Sequence, residues 1–315
     1  MIVRLIATAA VVLAIAAPAG QSRDAAQQPS FRASADLVGV DVSVRRAGRP
    51  VANLVAADFE VLDNGVKQVV SDLSFGKLPI DVTVALDVSE SVTGTVLDQL
   101  RRAVRQLVSD LGPNDRLKLM TFNMRVKRVM DFVESATPAA TEAAFKAMAG
   151  SGSTAVFDSI AVVLAEPATP ERRHLLVVFS DGEDSASITD MPTLLELARR
   201  TSPTLAVVLS GTGGPVYVSG TGPQTFTARS PNVAQRGNAE NYTALARETG
   251  GMVVFADLGG DIGGTFRRLL GDFRQSYVLY FSPTGVDRQG WHPLSVRVVR
   301  SGTHEVRARS GYEWR

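Results

Sequence analysis

The strongest constraint on the fold is an alternation of strand-like and helix-like runs between residues 80 and 275. The run DVTVALD, which ends at Asp87, is apolar and β-branched almost throughout, as is typical of a strand covered on both faces in a parallel sheet. Apolar residues then recur at three- and four-residue steps from Leu97 to Leu111, the spacing of an amphipathic helix. Strands and helices in alternation predict a doubly wound α/β fold with a mostly parallel sheet.

The same alternation continues along the chain and predicts an α/β domain at residues 78–275. The predicted strands are RLKLMTF, VKRVMDF, HLLVVFS, TLAVVLS and MVVF, and the predicted helices are TEAAFKAMA, AVFDSIAVVLAE, MPTLLELARR, NYTALARET and TFRRLLGDF. A stretch rich in Gly, Thr, Ser and Pro interrupts the pattern at residues 211–237. We interpret it as a surface insertion.

Shorter alternating runs flank this domain at residues 31–76 and 276–315. The pair Asn64-Gly65 joins the run DFEVLD to a second run, VKQVVSDLSF, and such a pair between alternating runs is a strong hairpin signal. The tail contains the runs YVLYFS, LSVRVVR and HEVRARS. Because neither flank alone offers a convincing core, we expect them to pack together as a small β domain.

The first thirty residues have the character of an export signal. Arg4 precedes the apolar run LIATAAVVLAIAA, and Ala17-Pro18-Ala19 offers a small-x-small cleavage site. We expect a signal peptide at residues 1–19 and a disordered leader at residues 20–30. An uncleaved anchor is the alternative, but the run is shorter than the ~20 apolar residues that cross a bilayer. We therefore expect an exported protein, periplasmic or secreted, without a membrane span after cleavage.

Composition excludes several classes of function. The net charge is +1, from 33 basic and 32 acidic residues, so nothing favours nucleic acid as a partner. The absence of cysteine excludes disulfides, zinc-thiolate sites and a cysteine nucleophile. The three histidines lie within or beside predicted strands, and no GxSxG motif occurs, so a serine hydrolase has no visible base.

Oxygen-bearing side chains collect where the predicted strands end, which is where open α/β sheets bind ligands. Asp87 ends its strand and is followed by Ser89 and Ser91, Thr154 precedes a helix, and Asp181 follows the strand HLLVVFS. Two carboxylates and three hydroxyls form a hard-oxygen set that suits Mg²⁺ first, with Ca²⁺ or Mn²⁺ possible, and does not suit zinc or copper.

The motifs DVSES, GSGST and FSDGEDS resemble those of the von Willebrand factor A domain and its metal ion-dependent adhesion site. The resemblance covers about residues 78–275 and implies that Asp87, Ser89, Ser91, Thr154 and Asp181 hold the metal. It also implies a parallel sheet with one short antiparallel edge strand. The flanks DFEVLDNG and YVLYFSPTG are similar to those of exported bacterial proteins related to this domain.

Each motif alone also fits a simpler interpretation, because Asp and Ser are common in turns and at helix starts. Three motifs in order at strand ends favour a metal site. Glu90, Glu183 and Asp184 are interpreted as solvated loop charges, and Asp158 as a residue that orients a loop.

The leading functional hypothesis is an exported module that uses its metal to bind an Asp or Glu of a protein partner, without enzymatic activity. One alternative is an envelope scaffold in which the metal only staples loops. The other is a metal-assisted hydrolase, for which no general base is evident in the sequence.

Overall fold

The computed structural model describes residues 37–92, 94–134, 138–146, 148, 150–210, 233–256 and 260–314. The strands within these residues are β1 (Val38–Arg46), β2 (Arg49–Pro50), β3 (Phe59–Asp63), β4 (Val66–Gln68), β5 (Asp72–Phe75), β6 (Ile80–Asp87), β7 (Arg116–Phe122), β8 (Val126–Glu134), β9 (Arg173–Ser180), β10 (Thr204–Ser210), β11 (Met252–Ala256), β12 (Tyr277–Phe281), β13 (Gly290–Val298), β14 (Glu305–Ala308) and β15 (Gly311–Trp314). The helices are α1 (Thr95–Asp110), α2 (Pro138–Lys146), α3 (Val156–Leu164), α4 (Met191–Arg199), α5 (Val233–Glu248) and α6 (Ile262–Arg274). In the described part of the chain, no helix is both long and apolar enough to span a membrane.

The central sheet has six strands in the order β11-β10-β9-β6-β7-β8. All neighbouring strands are parallel except β8, which runs antiparallel to β7 at the edge. This confirms the predicted doubly wound, mostly parallel fold. The edge strand is not short, however: β8 has nine residues and pairs with β7 along its length, with irregular register between Leu117 and Met120.

Helices cover both faces of this sheet, which explains the unbroken apolar character of β6, buried at every position. Side chains alternate between the two faces of a strand. Val82, Val84 and Leu86 therefore pack in a core with α1 and α6, whereas Ala85 packs in a second core with α3, α4 and α5.

Two smaller antiparallel sheets form what we call the β domain. Their strand orders are β14-β1-β12-β5, with β2 pairing β1, and β15-β13-β3-β4. Apolar side chains from both sheets, such as Val42, Val61 and Leu279, form one shared core. Because β1 lies between β12 and β14, strands from the two flanks of the central sheet are joined, which confirms the predicted β domain.

The predicted hairpin at Asn64-Gly65 is present. Both residues have positive φ angles, 49° and 80°, as a tight two-residue turn requires, and Asp63 pairs with Val66 across it. The run VKQVVSDLSF is not one strand, though. It divides into β4 and β5, which belong to different sheets. At the end of β4, the side chain of Gln68 is hydrogen-bonded to the backbone of Thr284 (3.0 and 2.9 Å).

The predicted domain boundaries at 31–76, 78–275 and 276–315 stay predictions. The signal peptide at 1–19 and the leader at 20–30 lie outside the described residues. So does most of the insertion predicted at 211–237, but α5 begins at Val233, so its last residues belong to a helix.

Candidate metal centre

The three predicted ligand loops meet at one edge of the central sheet. Since β6 and β9 are parallel neighbours, their carboxyl ends place the loops after Asp87 and after Ser180 side by side. The loop before α3 joins them through its backbone. The amide of Ser151 donates to Val88 O (2.9 Å), and Gly152 O accepts from the amide of Glu90 (3.1 Å).

Four of the five predicted ligands form a continuous chain of hydrogen bonds. The amide of Ser89 donates to Asp87 Oδ1 (2.8 Å), and the hydroxyls of Ser89 and Ser91 are hydrogen-bonded at 3.1 Å. Ser91 Oγ in turn donates to Asp181 Oδ2 (2.8 Å). Side chains separated by ninety positions in the sequence are thus brought into direct contact.

Counted along the chain, the first loop follows Asp87, the second precedes α3 and contains Thr154, and the third begins at Asp181. The backbone of Thr154, the fifth predicted ligand, connects the second loop to the third. Its carbonyl oxygen accepts from the amides of Ser185 (2.9 Å) and Ala186 (3.0 Å), and its own amide donates to Ser185 Oγ (3.1 Å). Thr154 is buried. These bonds hold the second loop against the loop that begins at Asp181.

The five predicted ligands, called the donor group below, are buried on one side and open to solvent on the other. Asp87 and Ser89 are buried, whereas Ser91 is exposed and Asp181 is half-buried. A ligand from solvent would therefore reach the group beside Ser91 and Asp181.

On the buried side, the surroundings of Asp87 disfavour the ionised form of its carboxylate. Burial raises the pKa of Asp87, hydrogen bonds from Ser89 and Ser180 oppose this shift, and the charge of Asp181 adds to it. The hydrogen bonds that the carboxylate of Asp87 accepts come from the amide of Ser89 (2.8 Å) and the hydroxyl of Ser180 (2.8 Å), and the largest influences on its pKa include no basic side chain. A bound cation would compensate the charge of Asp87.

Two supporting residues were missed in the sequence analysis. Ser180 Oγ donates to Asp87 Oδ2 (2.8 Å) and accepts from the amide of Gly182 (3.0 Å), and its position directly before Asp181 could have indicated this role. Tyr242 on α5 donates to Gly182 O (3.2 Å). Burial, and then nearby carboxylates, raise the pKa of Tyr242 well above its usual value; its helical apolar context offered no signal.

The third loop is clamped to the start of α3. Asp158 accepts from the amides of Ile188 (3.0 Å) and Thr189 (2.9 Å), in agreement with the predicted role of Asp158. Asp184 is not a solvated charge as predicted, because its Oδ1 accepts from the amide of Phe157 (3.2 Å) and the hydroxyl of Ser187 (2.6 Å). Glu90 and Glu183, by contrast, are exposed.

The chemistry of the donor set fits a hard divalent cation. It contains only oxygen, from two carboxylates and three hydroxyls, and oxygen ligands are those of Mg²⁺, Ca²⁺ and Mn²⁺. Within the described residues, no group of three or more His, Cys, Asp or Glu side chains could hold a metal. The hydroxyls are therefore necessary members of any site here.

Comparison with known families identifies the domain that contains these loops. The model of the von Willebrand factor type A domain matches residues 81–249, more than half of the 315 residues. The chain belongs to this family. Von Willebrand factor A domains often bind a divalent metal ion and take part in protein interactions.

Individual relatives are more distant. A stretch of 116 residues is 27% identical to an uncharacterized protein of Synechocystis sp., covering 36% of this chain and 28% of that protein, so the match spans little more than a quarter of the relative. A von Willebrand factor type A structure from Catenulispora acidiphila has 10% identity, 88% coverage of this chain, 74% of that chain and a TM-score of 0.49. BatB, a conserved hypothetical protein from Bacteroides thetaiotaomicron, has 16% identity, 62% and 98% coverage and a TM-score of 0.44.

Proposed function

We propose that this chain is an exported, metal-dependent protein-binding module of the adhesion type. In this proposal Asp87, Ser89, Ser91, Thr154 and Asp181 form a metal ion-dependent adhesion site for Mg²⁺, with Ca²⁺ or Mn²⁺ as alternatives. The ion binds a carboxylate from an Asp or Glu of a protein partner.

One observation carries the proposal: the buried carboxylate of Asp87 is compensated by hydroxyls and amides rather than by a basic side chain. Burying a charge without a counter-charge is costly. A purely structural Asp87 would carry this cost in free energy without a counter-charge to offset it. A role in cation binding explains both the burial and the open side at Ser91 and Asp181.

The ligand count supports an acidic partner. Mg²⁺ prefers six oxygen ligands in near-octahedral geometry, so five protein ligands leave a position for an outside oxygen. Glu90 and Glu183 are exposed on the same loops and would repel an acidic partner. Partner binding should therefore require the cation.

We propose that the chain has no enzymatic activity of its own. A general base must lie within hydrogen-bond reach of the reacting group, and two of the histidines are engaged elsewhere. His174 is hydrogen-bonded to Thr83 (2.8 Å) near the middle of β6, and His292 contacts Asp63 (2.9 Å) in the β domain.

Titration calorimetry with MgCl₂ tests the metal site. Wild type is expected to bind one Mg²⁺ per chain, and Asp87→Asn to lose measurable binding. Glu183→Gln is the matched control, since it removes a carboxylate from the same loops without removing a proposed ligand. Equal affinity in wild type and Asp87→Asn would contradict the proposal.

Partner dependence is tested by pull-down from an envelope extract in Mg²⁺ and in chelator. Retention of partners only in Mg²⁺ is expected, together with a larger loss of partner binding than of Mg²⁺ binding in Thr154→Ala. Equal retention in chelator would instead favour the envelope scaffold, in which the metal only staples loops. Turnover of a substrate would favour the hydrolase.

The proposed export rests on the sequence of residues 1–19. Intact-mass measurement of protein from an envelope fraction is expected to show a chain that lacks these residues. A chain that begins at Met1 and is extracted only with detergent would indicate an uncleaved anchor instead of a signal peptide.

A further inference from the structure

Two large apolar side chains are exposed on the loops around the candidate metal centre. Ile188 is 96% exposed and Met124 is 62% exposed. An isolated exposed apolar residue is ordinary, whereas a pair beside a binding site is a mark of an interaction surface.

The loops that carry these two residues both contact the loop that contains Thr154. In the central sheet β6 lies between β7 and β9, and both are parallel to it. Met124 follows β7, in the turn that leads to β8, and Ile188 lies in the loop after β9. The amide of Ala186, two residues before Ile188, donates to Thr154 O (3.0 Å), so the loop of Ile188 borders the loop of Thr154.

The turn that carries Met124 is anchored to the second ligand loop by Asn123. Its side-chain amide donates to Ser151 O (2.8 Å), and its carbonyl oxygen accepts from the amide of Ala155 (2.9 Å). A Cβ atom on Gly152 would lie 3.2 Å from Met124 Sδ. Met124 therefore lies against the loop that contains Thr154.

The backbone at Ile188 is fixed as firmly. Asp158 accepts from the amides of Ile188 and Thr189, and Asp190 caps α4 by accepting from the amide of Thr193 (2.9 Å). A side chain that stands in solvent on an anchored backbone can be buried by a partner with little cost in loop ordering.

The charges of the same loops limit the partner further. Glu90 and Glu183 are exposed beside the donor group. A run of acidic residues in the partner would meet these carboxylates as well as the cation and would be repelled. A single acidic residue between apolar neighbours avoids the repulsion and buries Met124 and Ile188.

We infer that Met124 and Ile188 are specificity-determining contacts that select extended protein segments in which one Asp or Glu is flanked by apolar side chains. This inference rests on the proposed function and adds the class of partner sequence that the site accepts.

Selection from a displayed random-peptide library on immobilised full-length chain tests it. Wild type in Mg²⁺ is expected to enrich peptides with one Asp or Glu next to Leu, Ile, Val, Met or Phe. A wild-type peptide from this selection should bind about tenfold more weakly to Met124→Ser and to Ile188→Ser, the loss expected when burial of one such side chain is removed. Mg²⁺ affinity by calorimetry should remain unchanged in both variants.

Val55→Ser and Val69→Ser are matched controls, because these valines are 55% and 79% exposed in the β domain and should not affect peptide affinity. Enrichment of acidic peptides without apolar neighbours, or unchanged affinity in both variants, would overturn the inference while leaving the proposed function intact. No enrichment of acidic peptides in Mg²⁺ over chelator would overturn the proposed function, and the inference with it.

Discussion

Strand β6 carries a buried aspartate near each end, and the two differ in almost everything but their burial. Asp81 is 1% exposed and Asp87 is 0% exposed. At Asp81 burial favours a raised pKa, but hydrogen bonds and charge from Arg116 and Arg172 outweigh it, so the pKa is lowered. At Asp87 burial prevails and the pKa is raised.

The difference lies in the partners of the two carboxylates. At the amino end of the sheet, carboxylates are paired with arginines: Asp81 with Arg116 and Arg172, and Asp115 with Arg274 (2.6 Å). At the carboxyl end, Asp87 has only hydroxyl and amide partners among the described residues. A buried carboxylate with a raised pKa is a candidate functional residue, which is why the proposed function assigns it to the metal.

Removal of the two charges gives the sharpest test of this comparison. Asp81→Asn should lower the free energy of unfolding by about 2–3 kcal/mol, because it removes the carboxylate partner of two half-buried arginines, Arg116 and Arg172. Asp87→Asn, measured in chelator, should change it by less than about 1 kcal/mol or increase it, since a buried uncompensated charge is removed. Urea unfolding of both variants measures the difference. Equal losses of unfolding free energy in the two variants would contradict the distinction between Asp81 and Asp87.

Addition of Mg²⁺ should make wild type more stable to unfolding than Asp87→Asn. At a concentration about tenfold above the dissociation constant, Mg²⁺ should stabilise wild type by about 1.4 kcal/mol, because it binds only the folded chain. Asp87→Asn should gain nothing, and Asp81→Asn should gain as much as wild type. Thermal unfolding with and without Mg²⁺ provides the measurement, with Ca²⁺ and Mn²⁺ as parallel titrations.

A smaller effect is expected from Asp158, which is not a proposed ligand but anchors the third loop. Asp158→Asn should weaken Mg²⁺ binding by about tenfold, the low end of the effect of removing groups that orient metal ligands, because Asp158 anchors the loop and not a ligand directly. Asp110→Asn, at the far end of α1, is the control for a simple loss of negative charge. If calorimetry shows the same Mg²⁺ affinity in Asp158→Asn and wild type, Asp158 does not support the metal site.

The smallest expected effect is on the acid dependence of stability. The pKa values of Asp81 and Asp115 are lowered in the folded chain. Their stabilisation is therefore present above the unfolded value of about 3.9 and is lost as the pH falls through the lower folded values. Wild type should lose more stability than Asp81→Asn between about pH 4 and about pH 2. Urea unfolding across this range should show the shallower slope in the variant.

The sequence alone was sufficient for the fold class and for the loops of the candidate site. Apolar periodicity distinguishes buried parallel strands from amphipathic helices, and parallel strands bring their carboxyl ends to one edge. Asp87 and Asp181 could therefore be placed together although β6 and β9 are far apart in the chain.

Other features depended on contacts that periodicity does not contain. Where VKQVVSDLSF divides between two sheets, Gln68 contacts Thr284, and Tyr242 on α5 contacts Gly182 in the loop after β9. Each contact joins residues that are distant in sequence.

The contrast along β6 is the clearest case. Both aspartates lie in one short strand, and the serines that follow Asp87 set it apart in the sequence, but the sequence does not show which basic side chains lie beside Asp81. Arg172 follows Asp81 by ninety-one positions, and only the packing of β9 against β6 brings it near. Because the protonation of a buried carboxylate depends on the charges within a few ångströms, the sequence determined where the carboxylates would lie and the tertiary structure decided which of them is paired with arginines.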